Sequence, residues 1–564
     1  MAIDAIGESM SKNLTALAKR QGLDNTLFQT LVVGDDAKSK AQRKALAKEL
    51  LIGEAIIHGT ASFYDFIEGD NANKKAYVCN GSSCLCAASQ PQVTAQLLEH
   101  FSADDIGYVT CLGRCAQNSA FQINKENYSG QDIARLAEII EFGVIDSAES
   151  YHVETNLKPA VLTAEIEHVG QYYQVFTEVT GKFSRDELLQ QLTDSGLRGR
   201  GGAGFPTGFK WRSCRDAKGE EKYIVCNADE GDAGAFSDRY LLEQRPHSVL
   251  FGMLMAGYLA GAETGVLYIR DEYPQAIRAT EKAIIEFQAL GLLDNLAFSF
   301  DFKIIRGAGA YICGEETALL RSIEGQRPLV SVRPPFPTES GLFGCPTILN
   351  NVETFAAINF IFSVGAESFF ALGNGKSTGS KLVSLDGSFN KPGIYEVVMG
   401  MELTALIEMA GGFAKPLKAL HIGGPLGGVV PLSALEKLTL DYESFAENGF
   451  LLGHASVIGL PASLAMIDYI EHLFEFTAAE SCGKCYPCKL GSVRGQEMIQ
   501  AAISGKQLLN RQLLDDLLET MQFGSLCALG GGVPLPIENI LQYFADEIRP
   551  YIKQTNTTLE QANG

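Results

Sequence analysis

The stretch Gly199–Trp211 constrains the fold more strongly than any other part of this 564-residue chain. It reads Gly-Arg-Gly-Gly-Ala-Gly-Phe-Pro-Thr-Gly-Phe-Lys-Trp and has glycines at 199, 201, 202, 204 and 208. Because glycine permits left-handed and tightly turned backbone, several N–H groups can converge there on phosphate oxygens. Lys210 supplies the countercharge, so the stretch predicts a nucleotide-binding loop.

The stretch also matches the dinucleotide pattern G-x-G-x-x-G, but its context favours another kind of loop. That pattern needs a strand immediately upstream. Ser184–Leu197 instead has apolar residues at helical spacing. We therefore predict a phosphate cradle that is not the usual dinucleotide turn. The alternative, a flexible surface loop, is less favoured because Phe205 and Trp211, the only tryptophan, are costly to expose.

Four cysteines form two pairs in the N-terminal part of the chain. The first pair has the spacing C-x4-C and follows a strand-like segment, 76–78; the second has C-x3-C and follows 106–109. Two such loops offer four thiolates to one small cluster. Their unequal spacing favours [2Fe–2S] over tetrahedral zinc, which is the alternative. The predicted ligands are Cys79, Cys84, Cys111 and Cys115, with Cys86 as a bystander.

A second cysteine set lies in the helical C-terminal part. The sequence Glu-Ser-Cys-Gly-Lys-Cys-Tyr-Pro-Cys begins at Glu480, and a fourth cysteine follows at 527. A C-x2-C-x2-C triplet with a remote fourth thiolate is typical of a [4Fe–4S] cluster, whereas zinc more often uses two separated pairs. The predicted ligands are Cys482, Cys485, Cys488 and Cys527. The isolated Cys214, Cys226, Cys313 and Cys345 are predicted to be small buried hydrophobes.

Three predicted strands of the central region end in polar or glycine-rich loops. They start at 223, 266 and 302. The first strand is followed by a polar loop that contains Asn227, Asp229, Glu230 and Asp232. Ligand sites at the carboxyl ends of strands are common in α/β proteins, which makes solvated turns the less favoured alternative. Carboxylates accept from ribose hydroxyls and repel a 2′-phosphate, so we predict NAD rather than NADP. Phe336, fixed by prolines, suits ring stacking, and the tandem amides Asn350 and Asn351 suit phosphate or carbonyl contacts.

Composition excludes several classes of partner. The net charge is −21 and the pI about 4.9, which disfavours nucleic acid and anionic membranes. The longest apolar run, Val249–Ala262, is shorter than the roughly 20 residues that span a bilayer. The first residues lack a basic region followed by an apolar core. We expect a cytoplasmic protein without a membrane partner, whose cysteines bind metal instead of forming disulfides.

Taken together, these motifs resemble the NADH-binding flavoprotein subunit of respiratory complex I and its soluble relatives. The resemblance covers about 160–555 and rests on the cradle, Asn227-Ala-Asp-Glu, the Gly307–Thr317 loop, Asn350-Asn-Val-Glu-Thr and the cysteine triplet with its preceding Glu-Ser. Residues 1 to about 145 resemble the family's separate thioredoxin-like [2Fe–2S] subunit, here fused in front. Such fusions occur in the diaphorase subunits of soluble NAD-dependent formate dehydrogenases and NAD-reducing [NiFe] hydrogenases.

The resemblance implies a multidomain α/β fold. The expected domains are a helical bundle (1–75), a thioredoxin-like [2Fe–2S] domain (76–145), a linker (146–160), a Rossmann-like FMN- and NAD-binding α/β domain (161–375), a β-grasp-like, soluble-ligand-binding type of domain (376–465) and a helical [4Fe–4S] domain (466–564).

The resemblance also implies the cofactor-binding residues. For FMN these are Gly199, Gly201, Gly202, Gly204, Lys210, Asn227, Asp229, Glu230, Tyr311, Gly314, Asn350 and Asn351. For NAD they are Phe205, Glu230, Asp232, Glu315, Glu316 and Phe336. No side chain is expected to be catalytic, because a hydride passes from cofactor to cofactor with Tyr311 near the flavin. Where relatives have Gly-Glu-Pro-Gly-Thr-Phe, this chain has Gly-Asp-Ala-Gly-Ala-Phe from Gly231, so the carboxylate at 232 is one methylene shorter.

The implied function is that of an NADH dehydrogenase, or diaphorase, subunit of a soluble oxidoreductase complex. The chain has no pattern for nickel or for the further clusters of a molybdopterin subunit, so partner subunits are expected to supply the substrate chemistry. The local sequences at 269–274 and 341–347 resemble formate dehydrogenase β subunits more closely, which makes formate dehydrogenase our leading interpretation. The local sequences at 60–64 and 210–216 resemble the hydrogenase diaphorases more closely. A fused complex I module and a non-catalytic iron–sulfur scaffold are further alternatives; retention of Lys210, both asparagines and Glu316 counts against the scaffold.

Overall fold

The computed structural model describes residues 23, 30, 40–50, 52–143 and 151–554. The helical pattern seen in the sequence before residue 20 lies outside these ranges. In the predicted N-terminal bundle, the described helices are α1 (Lys40–Glu49), α2 (Glu54–Ala61) and α3 (Asp65–Glu68). Ala47, Ile57 and Ala61 form their small shared core.

The N-terminal helices are anchored on the central domain by Tyr64, which is fully buried. Its hydroxyl hydrogen-bonds to Ser322 Oγ at 2.8 Å, and the same Oγ bonds to the Tyr268 hydroxyl at 2.9 Å. Arg327 donates to Gly59 O at 3.0 Å. The described helices therefore pack against the central domain and do not stand apart from it.

Residues 76–142 form a thioredoxin-like domain around a four-stranded sheet of order β2-β1-β3-β4. β1 and β2 are parallel, whereas β3 is antiparallel to both β1 and β4. The parallel pair carries the two predicted cysteine loops at its carboxyl ends, so the topology brings these loops together. The elements are β1 (Ala76–Cys79), α4 (Ser82–Ala87), α5 (Gln90–Leu97), β2 (Ile106–Val109), β3 (Phe121–Ile123), β4 (Glu126–Tyr128) and α6 (Leu136–Phe142).

The segment predicted as a linker, 146–160, does more than connect domains in its described part. Strand β5 (Val153–Thr155) joins the edge of the sheet of the third domain. Immediately after it, the N–H groups of residues 161, 162 and 163 donate to the buried carboxylate of Glu396 at 2.8–2.9 Å. Alternation over three residues is too short a signal to identify a strand, which explains why the sequence did not predict it.

The central domain is built on a parallel sheet of order β8-β7-β6-β9. The predicted helix at 184–197 is α8, with a capping box between Ser184 and Glu187. The longest apolar run forms α11, which is buried on nearly all sides. The elements are α7 (Val169–Lys182), α8 (Arg185–Asp194), α9 (Thr207–Asp216), β6 (Tyr223–Ala228), α10 (Ser237–Gln244), α11 (Pro246–Ala260), β7 (Thr264–Ile269), α12 (Pro274–Ala289), β8 (Asp301–Arg306), α13 (Glu316–Ile323), α14 (Pro337–Ser340), β9 (Thr347–Asn351), α15 (Val352–Ala356), α16 (Ile358–Ser363) and α17 (Ala366–Ala371).

The third domain has a mixed sheet of order β13-β12-β14-β10-β11-β5. Two helices accompany it, and its apolar core is separate from that of the central domain. The elements are β10 (Ser380–Leu385), β11 (Gly393–Val398), α18 (Leu403–Met409), β12 (Leu417–Ile422), β13 (Gly428–Pro431), α19 (Tyr442–Glu447) and β14 (Ser456–Pro461).

The C-terminal domain is helical, as predicted. Its elements are α20 (Met466–Glu480), α21 (Tyr486–Ile503), α22 (Arg511–Gly524), α23 (Ala528–Gly532), α24 (Pro534–Tyr543) and α25 (Ala545–Ile548). Among the described residues, no helix combines the length and the apolar character that crossing a bilayer requires.

Candidate functional site

The glycine-rich stretch forms a closed loop that leads into α9. Gly199 N–H donates to Phe205 O at 2.8 Å, which closes the loop. Gly202 and Gly204 have φ angles of 110° and 59°, and these two positions need glycine for their backbone conformation. Gly208 is inside α9 and serves packing, since an added Cβ would lie 2.6 Å from a side-chain atom of α8. The predicted cradle is therefore the segment before residue 206.

Lys210 lies in the first turn of α9 and points to the end of β9. Its ammonium group donates to Leu349 O at 2.6 Å and lies 3.6 Å from the Glu316 carboxylate. Burial lowers the pKa of Lys210, and Glu316 opposes that shift. The lysine therefore joins the cradle helix to the start of α13.

The two tandem asparagines have different surroundings. Asn350 Oδ1 accepts from the Trp211 indole N–H at 2.9 Å, so this buried amide fixes α9 against β9. Asn351 Nδ2 donates to Asp238 Oδ2 at 2.5 Å and lies beside the cradle, where a Cβ on Gly201 would be 3.1 Å from the Asn351 Cβ. Of the pair, Asn351 is the one that faces a cavity.

One cavity opens at the carboxyl ends of β6 and β9, next to the cradle. The predicted FMN residues that line it are Gly201, Asn227, Asp229, Glu230, Tyr311, Gly314 and Asn351, and the predicted NAD residues are Glu230, Asp232 and Glu315. The remaining predicted residues lie outside its lining; they are Gly199, Gly202, Gly204, Lys210 and Asn350 for FMN and Phe205, Glu316 and Phe336 for NAD.

The cavity has the polar edge and the open backbone that a planar cofactor needs. Among the described residues, the buried Asp229 Oδ2 has no hydrogen-bond partner, and burial raises the Asp229 pKa well above its usual value. Asn227 Nδ2 donates to Gly314 O at 2.8 Å and holds that loop in place. A Cβ on Gly314 would lie 3.3 Å from Asp229 O. An orphaned acid beside a glycine-lined opening fits the hydrogen-bonding edge of a flavin ring.

Tyr311 connects the cavity to the start of the cysteine triplet. Its hydroxyl donates to Asp232 Oδ1 at 2.8 Å, and its backbone N–H donates to Glu480 Oε2 at 2.9 Å. Burial, followed by the Asp232 charge, raises the pKa of Tyr311 well above its usual value, so the phenol stays protonated. The Tyr311 ring meets Phe476 of α20 edge to face, with centroids 5.0 Å apart.

The residues predicted to bind the dinucleotide differ in their exposure and in the hydrogen bonds and ion pairs that they already form. Phe205 and Phe336 are 50% and 51% exposed. Two of the predicted carboxylates cap helices: Glu315 accepts from Thr317 N and Ala318 N, and Glu230 accepts from Asp238 N and Arg239 N. Glu316 caps no helix and pairs with Arg333 and Lys210. Glu316 and the two exposed rings are thus the predicted NAD groups that remain accessible outside the cavity.

The four N-terminal cysteines come together as predicted. All are buried, and the Cys111 and Cys115 sulfurs are 3.4 Å apart. A hydrogen bond from Cys84 lowers the pKa of Cys79 to about 6 against the effect of burial. Gly234 N–H, from the loop after Asp232, donates to Cys115 Sγ at 3.3 Å. The donor set fits a cluster held by thiolates and lies against the loop that contributes Asp232 to the cavity. Cys86 is buried, and burial raises its pKa.

The C-terminal cysteines also lie together, between α20, α21 and α23. Burial raises the pKa of Cys527 to about 12, and the neighbouring Cys488 and Cys482 add to that shift. Gly530 brings α23 against α21, because an added Cβ would be 2.5 Å from the Cys488 Cβ. Cys527 lines the cavity beside the cradle. Cys214, Cys226 and Cys313 are buried, whereas Cys345 is partly exposed.

Two residues of the cavity carried no signal in the sequence. Asp238 is the second residue of α10, and His454 follows a glycine turn before β14. Both line the cavity and are less than a tenth exposed. His454 belongs to the third domain, in which the sequence showed no catalytic pattern. Only the packing of that domain against the cradle brings it here.

A glycine-rich cradle beside a cavity, one cysteine set with a member in that cavity and a second set against the neighbouring loop are the arrangement expected of an iron–sulfur flavoprotein. Four family models match the chain: the Nuo51 FMN-binding domain over 192–359, the NADH-ubiquinone oxidoreductase-F iron–sulfur binding region over 468–551, the SLBB domain over 382–430 and the thioredoxin-like [2Fe–2S] ferredoxin over 36–143. The cofactors expected from the motifs and the resemblance, FMN, NAD and both kinds of cluster, are confirmed at the level of the family.

Similar proteins extend this assignment. The chain is 39% identical to an NADH-quinone oxidoreductase subunit of Rhizobium meliloti, over 68% of this chain and 93% of that one. It is 34% identical to the NAD-reducing hydrogenase HoxS subunit alpha of Cupriavidus necator, over 87% and 85%. A crystal structure of NAD⁺-reducing [NiFe]-hydrogenase in the H₂-reduced state matches with a TM-score of 0.83 and 29% identity, covering 94% of this chain and 93% of that one. The chain belongs to the family of NADH-binding FMN and iron–sulfur subunits of complex I and NAD-reducing hydrogenases.

Proposed function

We propose that this chain is a diaphorase subunit that exchanges a hydride between NAD(H) and FMN and single electrons between FMN and its clusters. The observation that carries the proposal is that Cys527 and its neighbours Ala528 and Leu529 line the same cavity as Gly201 and Asp229. A cluster ligand and the phosphate cradle thus border one space. When bound, FMN supplies the change from two-electron to one-electron chemistry.

The chain's own residues bind, orient and exclude water. The cradle directs backbone N–H groups towards a phosphate, and Asn351 stands between the cradle and Asp238. Asp229 and the Gly314 backbone offer a polar edge to the ring. Tyr311, held by Asp232 and Glu480, forms a wall without giving up a proton. No side chain has to act as an acid or base, because the hydride moves between cofactors.

For the dinucleotide, we propose the accessible groups next to the cradle. Phe205 and Phe336 offer half-exposed rings for stacking, and Glu316 offers a carboxylate to a ribose hydroxyl. Asp232 is held by Tyr311, so its predicted contact with NAD requires the ligand to reach into the cavity. Glu315 and Glu230 act mainly through the helices that they cap.

Electrons are proposed to leave through the C-terminal domain to a partner subunit. Tyr486 and Phe523 are 81% and 78% exposed, and Leu490 is 61% exposed. Tyr486 directly follows Cys485, and a Cβ on Gly524, the residue after Phe523, would lie 2.9 Å from Pro487. These apolar side chains therefore lie beside the cluster ligands, where a buried interface would shorten the path to an acceptor.

The partner's chemistry has two candidates. Coupling to a [NiFe] hydrogenase is supported by the similarity to the HoxS subunit alpha, which includes the fused N-terminal region. Our leading interpretation of the sequence is coupling to formate oxidation or CO₂ reduction by a molybdopterin subunit. It rests only on the local sequences at 269–274 and 341–347. The similarity favours the hydrogenase, and formate dehydrogenase stays the second candidate. A cytoplasmic complex without a membrane partner is part of the proposal in either case.

The decisive experiment is metal analysis of the native complex, captured without oxygen through a tag on this chain. Nickel identifies a hydrogenase partner, and molybdenum or tungsten a formate dehydrogenase partner. Iron alone leaves a complex I module or a free-standing dehydrogenase. Bleaching of the flavin absorbance by NADH tests the diaphorase activity itself; a bound flavin that NADH does not bleach would favour the non-catalytic scaffold.

A further inference from the structure

The carboxylates of the flavin cavity face a single basic side chain among its described lining. Asp229, Glu230, Asp232, Asp238 and Glu315 line the cavity, and His454 is the base. Asp229, Glu230, Asp238 and His454 are less than a tenth exposed, whereas Asp232 is partly exposed. Burial raises the pKa of Asp229, Glu230 and Asp232. Arg270, outside this lining, offsets the charges of Asp229 and Asp232, so His454 is the basic group that stands within the cavity itself.

His454 reaches the cavity through a turn that touches the cradle. The preceding Gly453 has φ 54°, and an added Cβ on Gly202 would lie 3.6 Å from the Gly453 carbonyl carbon. His454 Nε2 is 3.5 Å from Asp238 Oδ2, and Nδ1 is 3.9 Å from Glu230 Oε1. Within the described part of the chain, neither ring nitrogen has a hydrogen-bond partner. The imidazole is thus buried, paired by charge and open towards the cavity.

The surrounding charges decide the protonation state of His454. Burial alone would lower its pKa, but Asp238 and Glu230 raise it to about 9 against the opposing charge of Lys381. Asp238 is already held by Asn351, and the Glu230 carboxylate accepts from the backbone of α10. The anions that face the ring are therefore fixed in place, and the imidazolium is the form that they stabilise.

A metal ion is the alternative occupant of this group, since ligand atoms of Glu230, Asp238 and His454 lie within 4.8 Å of one another. The hydrogen bonds argue against it. Glu230 Oε1 accepts from Ser237 Oγ and Asp238 N, and Oε2 accepts from Arg239 N and the Tyr273 hydroxyl, at 3.0–3.3 Å. A carboxylate with four donors has little capacity left for a cation.

We propose that the imidazolium of His454 is the charge-compensating residue of the flavin cavity and that it raises the two-electron midpoint potential of bound FMN. Reduction adds negative charge to a flavin, and a fixed cation beside the cofactor favours the reduced form in a cavity whose described lining has no other basic side chain. The inference rests on the proposed function in one respect, that FMN occupies this cavity.

The test is spectroelectrochemical titration of the purified full-length holoprotein. In His454→Gln, which keeps a polar side chain but removes the charge, we expect the equilibrium for two-electron reduction of FMN to fall about tenfold, equivalent to about 30 mV. His454→Lys restores a cation and is expected to recover most of the potential. His421→Gln is the matched control: His421 is a buried histidine bonded to Tyr469 and outside the cavity, and its loss should leave the potential unchanged.

Each outcome has a separate meaning. An unchanged potential in His454→Gln with FMN bound overturns the inference, as does an equal shift in the glutamine and lysine variants, which would indicate a purely structural role. If His454→Gln does not fold, His454→Asn serves instead: it also removes the charge, so the potential should fall as in the glutamine variant, and an unchanged potential would refute the charge argument. A wild-type protein with a one-to-one flavin content that NADH does not bleach would count against the diaphorase proposal alone.

Discussion

Replacing Glu316 by glutamine is expected to relax the preference for NAD over NADP. The Glu316 carboxylate contacts the Arg333 guanidinium and lies 3.6 Å from Lys210 Nζ, and its side chain is 19% exposed. In the wild type its charge offsets these two cations and repels a 2′-phosphate. In Glu316→Gln both cations become available to that phosphate, while the ribose hydroxyl of NAD loses a charged acceptor.

The size of the effect follows from Coulomb's law. Across about 8 Å, the screening length at physiological salt, a unit charge contributes about 0.5 kcal/mol in water and about 2 kcal/mol at an effective dielectric of 20. Because the Glu316 side chain is partly exposed, we take about 1 kcal/mol for each cofactor. The two contributions add to about 2 kcal/mol, so the ratio of kcat/KM for NADPH to that for NADH should rise roughly 30-fold, and high salt should shrink the change.

The assay is steady-state reduction of an artificial acceptor with each dinucleotide, at low and high ionic strength. Glu324→Gln is the matched control, because it makes the same charge change just beyond the other end of α13, where Glu324 Oε1 accepts from Phe343 N at 2.7 Å. Arg333→Gln should move the ratio in the opposite direction. An unchanged ratio in Glu316→Gln, or an equal change in Glu324→Gln, would refute the role of Glu316.

Three further changes test other parts of the structure. Gly204→Ala places a Cβ at φ 59° and 2.9 Å from the Arg198 guanidinium, which should cost about 1–2 kcal/mol in the cradle and weaken FMN binding about tenfold, measured as flavin released on dilution. Cys527→Ser should abolish the [4Fe–4S] electron paramagnetic resonance signal and leave the [2Fe–2S] signal; loss of both would contradict two separate sites. Burial lowers the pKa of His421 from 6.5 to about 4, so stability contributed by its neutral ring is present above pH 6.5 and is lost as pH falls towards 4. Thermal melts of His421→Gln should therefore approach those of the wild type on acidification, and a gap independent of pH would exclude this linkage.

The cluster sites could be predicted from the sequence because their chemistry is local. Within each cysteine group, spacing fixes which sulfurs can meet, and the strands that precede Cys79 and Cys111 are parallel neighbours in the fold. The parallel sheet could also be predicted from the sequence, because three apolar strands each end in a polar or glycine-rich loop. The strands starting at 223, 264 and 301 lie side by side as expected for such a pattern.

Features that depend on contacts between domains could not be predicted in the same way. β5 is a three-residue strand whose partner lies more than 200 residues away. His454 has no motif around it and becomes part of the cavity only because a glycine turn of the third domain rests on the cradle. Likewise, the carboxylates of Glu230 and Glu315 looked like ligand groups, but each also caps a helix, a use that sequence alone does not distinguish from ligand binding.

The Tyr311 loop contacts all three regions that are expected to hold cofactors. Through Asp232 it contacts the segment whose Gly234 N–H donates to Cys115, and through Glu480 it contacts the helix that leads into the cysteine triplet. Through Gly314 it forms part of the flavin cavity. One short loop is thus tied to the cavity and to the surroundings of both cysteine sets. A fused N-terminal domain keeps the [2Fe–2S] site in this arrangement without depending on subunit association, which two separate chains could lose on dilution.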